Sequence, residues 1–173
     1  MKIRSITLFS PIIPQDKPAL RPLATLGTAA RGALEQAGYE VQTVRLATPP
    51  WPRFFDDTAA ALHAAQWLDR AAPKVGIDYL SLGPVEAVGG GNTSLIESST
   101  AILAATERVF CTTLIADTEH GVNVGAARAS AEAIVANAAL EPNGFGNLRF
   151  AVLANVRPGS PFFPAAYTHP GYA

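Results

Sequence analysis

Residues 108–154 read RVFCTTLIADTEHGVNVGAARASAEAIVANAALEPNGFGNLRFAVLA, and their hydrophobic pattern changes twice along this length. Residues 108–116 and 148–154 are short apolar runs, a length and character typical of buried strands. Between them, Asn123 can cap a helix whose apolar residues recur at helical spacing until Pro142 ends it. This segment therefore predicts a strand, a helix and a second strand in succession.

The preceding part of the chain repeats the same alternation. Hydrophobic period and glycine or proline punctuation predict three more strands and three more helices. The strands are 3–9, 39–46 and 77–82; the helices are 20–37, ended by Gly38 as a left-handed cap, 57–72, and one opened by Ser94 with capping-box spacing to Glu97. Five strands joined by four helices imply parallel crossovers, so we expect an α/β fold, either a layered sheet or part of an α/β barrel.

A single domain is expected from 173 residues, with alternating β/α units over residues 1–154 and a docking tail over residues 155–173. The tail carries two adjacent phenylalanines, two tyrosines and four prolines. It can hide this apolar surface only by packing on its own chain or on another. No helix follows the fifth predicted strand, so we also expect an open sheet edge there, which natural proteins normally cover.

Composition excludes several classes of partner. Thirteen basic and fourteen acidic residues give a formal net charge of −1 without a run of like charge, so neither nucleic acid nor an anionic membrane is expected as a partner. The longest apolar stretches, such as 109–116, are far shorter than the ~20 residues of a membrane helix. Residues 1–8 alternate like a strand rather than a signal peptide, so a cytoplasmic location is expected. The single cysteine, Cys111, excludes an intrachain disulfide and a cysteine-only zinc site.

Candidate ligand-binding residues follow the predicted strands at their carboxyl ends. In parallel α/β structures these ends meet at one edge, and helix N-termini direct their dipoles towards it. The residues that follow the strands are Ser10, Arg45, Thr48, Gly83, Glu86, Asp117, Glu119, His120, Asn155 and Arg157. Their cations, carboxylates, imidazole and amide are suited to an anionic substrate and to proton transfer.

We assign these candidates to two roles. The substrate-binding group is Arg45, Gly83, Glu86, Asn155 and Gly159, and the catalytic candidates are Asp117, Glu119 and His120. A structural interpretation also stays open, because Arg45 could form a salt bridge at a strand end and a polar β–α loop contains residues such as Asp117 by default. The sequence identifies no cofactor. No metal site is predicted, since three potential ligands within four residues need help from elsewhere.

Other sequence motifs give weaker indications of a functional site. The glycine-rich turn 89–94 lies between a strand and a helix, the context in which backbone amides bind phosphate, but it lacks a Walker lysine and Rossmann spacing. Both interpretations of residues 89–94, a flexible loop and a nucleotide site, therefore stay open. Cys111 lies inside an apolar run and is expected to be a buried thiol rather than a nucleophile. His63 is expected at the surface, and the position of His169 depends on how the tail docks.

Several segments taken together resemble a known family. Residues 3–8, 38–45, 82–84, 121–123 and 147–167 are similar, in order, to the N-terminal part of the family called domain of unknown function 711. The tail motif PGSPFFPAAY at residues 158–167 is the most specific of these. The resemblance implies an α/β barrel similar in architecture to pyruvate formate-lyase and the anaerobic ribonucleotide reductases, and it implies no activity.

The resemblance also implies that the chain is incomplete as a barrel. Members of the family are longer, so this chain is expected to correspond to roughly the first half of one, and half a barrel has exposed edges. Glycyl-radical chemistry is not expected. It needs a C-terminal glycine loop and a cysteine at the barrel tip, whereas Cys111 is predicted in the middle of a strand.

Two functions are compatible with these observations. The first is binding or transformation of a small anionic metabolite at the carboxyl ends of the strands, which requires Arg45, Glu86, Asp117 and Asn155 to surround one pocket. The second is an assembly module, which completes a barrel or a homo-oligomer through its open edge and aromatic tail. Its partner would be a second copy of the chain or a complementary C-terminal half.

Overall fold

Strands and helices alternate along the chain. The computed structural model describes residues 1–55, 57–91 and 93–169. The strands are Lys2–Ile3 (β1), Ile6–Phe9 (β2), Glu40–Val41 (β3), Val44–Pro50 (β4), Tyr79–Gly83 (β5), Val85–Glu86 (β6), Val109–Asp117 (β7), Gly121–Val122 (β8) and Phe150–Ala154 (β9). The helices are Lys17–Gln36 (α1), Thr58–Ala71 (α2), Leu95–Ala104 (α3) and Val124–Ala138 (α4). Within the described ranges, no helix combines the length and the apolar character needed to cross a membrane.

Side-chain caps explain where three of the helices begin. Asp16 caps α1, Asp57 caps α2 and Asn123 caps α4, and their oxygens accept backbone N–H bonds of 2.8, 2.7 and 3.1 Å. The cap predicted at Asn123 is therefore confirmed. Ser94 has helical dihedral angles (φ −65°, ψ −24°) rather than the extended ones of a capping residue. The capping box predicted from its spacing to Glu97 does not form.

Five parallel strands form the main sheet in the order β2, β4, β5, β7 and β9, which is also their order along the chain. The chain therefore moves from each strand to the next in the same direction across the sheet. Because parallel crossovers are right-handed, α1 to α4 all lie on one face of the sheet. The short strand β6 continues the line of β5 along β7, and β8 pairs antiparallel with the end of β7. None of the four α-helices of the described residues therefore lies on the opposite face.

The helix-bearing face contains the large hydrophobic core. Leu46, Leu80 and Val109 from the sheet are fully buried there, and they pack in one cluster with helix residues such as Leu68 and Ile102. Burial of this kind contributes about 1.5–3 kcal/mol for each large aliphatic side chain. This face therefore supplies most of the stability of the fold.

The opposite face is covered by the tail. A second, smaller hydrophobic cluster consists of Leu114 from β7, Leu153 from β9 and Ala165 from the tail. Ser81 Oγ donates a hydrogen bond of 2.7 Å to the carbonyl oxygen of Pro164, and the Thr168 amide donates one of 3.3 Å to the Thr48 carbonyl oxygen. The tail thus crosses the sheet from β9 towards β4. Residues 170–173 of the predicted tail lie outside the described residues.

The predicted α/β class is confirmed, and the sheet is open. β2 and β9 form its edges, and no ladder joins them among the described residues. β9 pairs with β7 along one side, and no described strand pairs with its other side. The correspondence to half of a pyruvate formate-lyase-like α/β barrel stays a prediction.

Candidate functional site

The position of Arg45 differs from the prediction. The strand expected to end at residue 46 continues through Thr48, Pro49 and Pro50, so Arg45 is the second residue of β4 and lies near its amino end. The pairing of β4 with β5 shifts register between Ala47 and Pro50. This irregularity accommodates prolines, which have no N–H to donate to a ladder. The prediction that Arg45 follows a strand at its carboxyl end is therefore wrong.

At the amino-terminal edge, Arg45 lies among aromatic rings on the tail-covered face. Its guanidinium carbon is 4.9 Å from the ring centroid of Phe163 and 5.9 Å from that of Tyr79. Phe110 makes edge contacts with both rings, at centroid distances of 4.9 Å to Phe163 and 5.8 Å to Tyr79. Together with Arg4, these residues form what we call the arginine pocket, a cavity of about 490 Å³.

The two arginines of this pocket have no carboxylate partner. Among the described residues, no Asp or Glu oxygen lies within 4.0 Å of a side-chain nitrogen of Arg4 or Arg45. Arg45 Nε donates to Thr43 Oγ1 at 3.0 Å. Burial lowers the pKa of Arg45 from its ordinary value and the positive charge of Arg4 lowers it further, whereas Tyr79 and the Asp78 carboxylate act in the opposite direction. The pocket therefore holds two cations that repel each other.

The carboxylates on the other wall of the pocket are already paired. Glu141 binds Arg149 at 3.1 Å, and Glu107 binds Arg108 at 3.2 Å. Arg149 also donates to two backbone carbonyls, at Leu103 and Val109, which fixes it as part of the structure. These pairs leave Arg4 and Arg45 as the cations able to take an external anion.

At the opposite edge, Asp117 and His120 form a pair at the end of β7. Asp117 Oδ1 accepts the backbone N–H groups of Glu119 and His120, at 3.0 and 2.6 Å. His120 Nδ1 lies 3.1 Å from both oxygens of the Asp117 carboxylate. The backbone N–H of His120 lowers the pKa of Asp117, and the hydrogen bond to Asp117 raises the pKa of His120. The pair can accept and return a proton, and Glu119 contributes its amide to Asp117 and its negative charge, which also raises the pKa of His120.

The glycine-rich turn packs against this pair. A Cβ at Gly89 would lie 2.8 Å from Cδ2 of His120, and Gly89 has a φ of +60°, so glycine is required on both counts. Asn92, in the middle of the predicted turn, lies outside the described residues. Across the described chain, no three His, Cys, Asp or Glu side chains are placed to hold a metal ion.

Glu86 and Gly83 are occupied by contacts within the chain. Glu86 Oε2 accepts a 2.7 Å hydrogen bond from Arg53 Nε. The Gly83 amide donates to Thr48 Oγ1 at 3.2 Å, and a Cβ at Gly83 would overlap the backbone of Pro49. Gly83 therefore serves the close approach of β4 and β5. Ligand binding by either residue stays a prediction.

Asn155 and Gly159 shape the turn that leads from β9 into the tail. The Asn155 amide donates to the Ala116 carbonyl at 2.9 Å, and Asn155 takes a left-handed φ of 57°. The Gly159 amide donates to the Tyr167 carbonyl at 2.8 Å, and Tyr167 Oη donates to the Val156 carbonyl at 2.8 Å. Burial raises the pKa of Tyr167 to about 12. The bond from Asn155 joins the start of the tail to β7, whereas the bonds of Gly159 and Tyr167 join residues of the tail to one another.

The predicted site residues do not surround one pocket. Arg45 pairs with Tyr79, and Ser81 pairs with Phe110, so Arg45 is level with residue 108, which immediately precedes β7. Asp117 lies nine residues further along β7, or about 30 Å at ~3.3 Å per residue. A small molecule cannot contact both. Arg45 belongs to the arginine pocket, whereas Glu86, Asp117, His120 and Asn155 lie at the carboxyl edge.

Sequence reasoning missed the aromatic wall of the arginine pocket. Tyr79 and Arg45 are paired residues of neighbouring strands, and correct strand registers would have placed them together. Phe163 reaches them only through the path of the tail, for which the sequence holds no local signal. The thiol of Cys111 is fully buried, as predicted, and burial raises its pKa to about 12, so it is neutral at physiological pH.

Comparison with known proteins identifies relatives over the whole chain. The model of the family described as "Uncharacterised ACR (DUF711)" matches residues 1–172. A UPF0210 protein of Pyrobaculum arsenaticum is 32% identical over 96% of this chain, and one of Pyrobaculum aerophilum is 30% identical over 92% of it. A UPF0210 protein of Clostridium beijerinckii is 34% identical over 63% of the chain.

These relatives are considerably longer than this chain. The aligned region covers 40% of the Pyrobaculum arsenaticum protein, 34% of the Pyrobaculum aerophilum protein and 25% of the Clostridium beijerinckii protein. The chain thus spans about two fifths, or less, of the length of these relatives. The match over residues 1–172 shows that the chain belongs to the uncharacterised DUF711 family.

Proposed function

We propose that the chain binds a small anionic ligand in the arginine pocket at the amino-terminal edge of the sheet. The observation that carries the proposal is the guanidinium of Arg45, which lies beside two aromatic rings and Arg4 without a carboxylate partner among the described residues. A half-buried arginine next to a second cation is electrostatically unfavourable until an anion neutralises it. The pocket therefore supplies part of the free energy of binding as relief of this repulsion.

The chemistry of the pocket favours a carboxylate or phosphate attached to a flat apolar group. A guanidinium binds such oxyanions through two parallel hydrogen bonds, which are stronger than neutral ones. Phe163 and Tyr79 offer ring faces and edges on which an apolar group of the ligand can pack. A cavity of about 490 Å³ lies within the size range of small-molecule sites.

We propose that the arginine pocket binds a ligand, and we propose no reaction there. The acid/base pair of Asp117 and His120 lies about 30 Å away along the sheet. Catalysis by Asp117, Glu119 or His120 would require a different molecule bound at the carboxyl edge. Such a molecule would contact His120 above the Gly89 turn.

Isothermal titration with phenyl phosphate and with benzoate tests this function. We expect saturable binding by the native chain and an affinity loss of at least about tenfold in Arg45→Ala, because a charge-assisted pair is removed. The affinity of Arg45→Lys should lie between those of the native chain and Arg45→Ala, since an ammonium cannot form the bidentate pair. Arg128→Ala, which removes an exposed arginine of α4, is the matched control and should bind as the native chain does. Equal binding by Arg45→Ala, or no binding by the native chain, would overturn the proposal.

Assembly is a second candidate function, favoured by the exposure around β9. Val152 of β9 is 36% exposed, and Phe162 of the tail is 72% exposed. An unpaired strand beside exposed apolar side chains is a site for adding further strands. We propose that β9 pairs with a second copy or with the carboxyl-terminal part of a longer family chain.

Light scattering after gel filtration tests the assembly proposal. We expect the native chain either to form a dimer or to form a complex when mixed with the carboxyl-terminal segment of the Pyrobaculum arsenaticum relative. Val152→Lys should weaken either association, because a charge at the covered strand would be desolvated. A chain that stays monomeric alone and in the mixture would contradict the proposal.

A further inference from the structure

A groove lies between α1 and α2 on the outer surface, far from the arginine pocket. Its volume is about 980 Å³, and its floor is formed by Leu20, Ala24, Trp67 and Ala71. Leu20 is buried, and Trp67 and the two alanines are partly buried. The small side chains of the two alanines keep the floor low, so a partner can approach the helices closely. An apolar groove between two helices has the shape in which the apolar face of an amphipathic helix packs.

Four cations border the groove, two on each wall. Lys17 and Arg21 lie on α1, and Arg70 and Lys74 lie at the end of α2 and in the turn after it. Within the described residues, none of the four forms an ion pair, and no carboxylate lines the groove. The whole chain has a net charge of only −1, so this cluster is a local feature.

The neighbouring carboxylates have other partners. Asp16 Oδ1 accepts the amide of Ala19 as the cap of α1. Asp69 Oδ1 accepts the amides of Glu107 and Arg108, at 3.1 and 2.7 Å. Among the described residues, neither of these carboxylates forms an ion pair with a cation of the groove.

We infer that this groove binds an acidic amphipathic helix of a partner protein. An apolar floor between two basic walls is complementary to a helix whose apolar stripe is flanked by Asp or Glu on both sides. The groove follows α1 from Lys17 to Ala29, about 18 Å at 1.5 Å per residue, so it accommodates about three turns. The charges are spread over both walls.

Fluorescence anisotropy with a labelled synthetic helix tests the inference. The probe is a peptide of about fourteen residues with leucines along one stripe and glutamates on both flanks. We expect saturable binding below about 1 mM, and binding weaker by at least about tenfold when lysines replace the glutamates. Binding should also weaken as salt concentration rises, because the paired charges are exposed.

Charge reversal within the groove provides the matching test on the protein. The double variant Arg21→Glu with Arg70→Glu should bind the acidic peptide at least about tenfold more weakly and bind the lysine peptide more tightly. Arg128→Glu, on the exposed surface of α4, is the control and should leave binding unchanged. The gain for the lysine peptide distinguishes lost charge complementarity from misfolding.

Three results would overturn the inference: no saturable binding of the acidic peptide by the native chain, equal binding of both peptides, or equal binding by the double variant. Binding of phenyl phosphate in the arginine pocket should be unaffected by the double variant, because Arg21 and Arg70 do not line that pocket. The two proposals can therefore fail independently.

Discussion

The two faces of the sheet are stabilised in different ways. The helix-bearing face buries one large hydrophobic cluster between the strands and four helices, each of which is adjacent in sequence to the strands that it covers. The tail-covered face has a small hydrophobic cluster, an aromatic group around Arg45 and a few hydrogen bonds to a distant segment. This difference indicates that the first face contributes most of the stability of the fold, while the second face holds the arginine pocket.

The largest expected effect concerns the helix-bearing face. Leu68 of α2 is fully buried in the main cluster, so Leu68→Ala should destabilise the chain by about 3 kcal/mol through lost burial and a residual cavity. Urea unfolding measures this loss. Val135→Ala, at a position 74% exposed on α4, is the control and should change the free energy of unfolding by less than about 0.5 kcal/mol.

A matched truncation on the tail-covered face should lower the free energy of unfolding by a smaller amount. Leu153 packs in the small cluster with Leu114 and Ala165. In the same urea experiment, Leu153→Ala should lower the free energy of unfolding by about 2 kcal/mol. The tail can move into part of the space, because it is held by few contacts. A loss as large as that of Leu68→Ala would contradict the distinction between the two faces.

Removal of the Tyr167 hydroxyl should have a smaller effect on stability, and this effect should be confined to the tail. Tyr167→Phe removes the 2.8 Å bond to the Val156 carbonyl and leaves that oxygen without this donor, which should cost about 1 kcal/mol. Hydrogen exchange should accelerate at the Gly159 amide, which bonds to the Tyr167 carbonyl, and stay unchanged at β4 and β5 amides. Equal acceleration in the central strands would mean that the tail and sheet unfold as one unit.

Sequence patterns predicted most elements of the first face, although Ile134 and Val135 of α4, expected to be buried, are 42% and 74% exposed. They did not predict the contacts of the second face. The strands and helices have local hydrophobic periods, and the cap at Asn123 is a short-range signal. The contact of Ser81 with Pro164 joins residues 83 positions apart, and nothing in either segment specifies it. The end of β4 was also missed, because Pro49 and Pro50 usually end a strand and here occupy a register shift. For that reason Arg45 was assigned to the wrong edge.

The smallest expected effect is a pH dependence at the carboxyl edge. Asp117 raises the pKa of His120 above its ordinary value of 6.5, so the protonated pair stabilises the fold below that pH. This contribution is lost as pH rises through the raised pKa. A proton NMR titration of the His120 ring should show the pKa falling in Asp117→Asn, with the resonance assigned by its disappearance in His120→Gln. An unchanged pKa in Asp117→Asn would show that the pair does not form.

The central claim is that Arg45 binds an external anion on the tail-covered face. A crystal structure of the chain with phenyl phosphate tests it most directly. We expect the phosphate oxygens within hydrogen-bonding distance of the Arg45 guanidinium, with the phenyl ring against Phe163 or Tyr79. Phosphate bound beside His120 at the opposite edge, or an arginine pocket without phosphate at saturating concentration, would contradict the account.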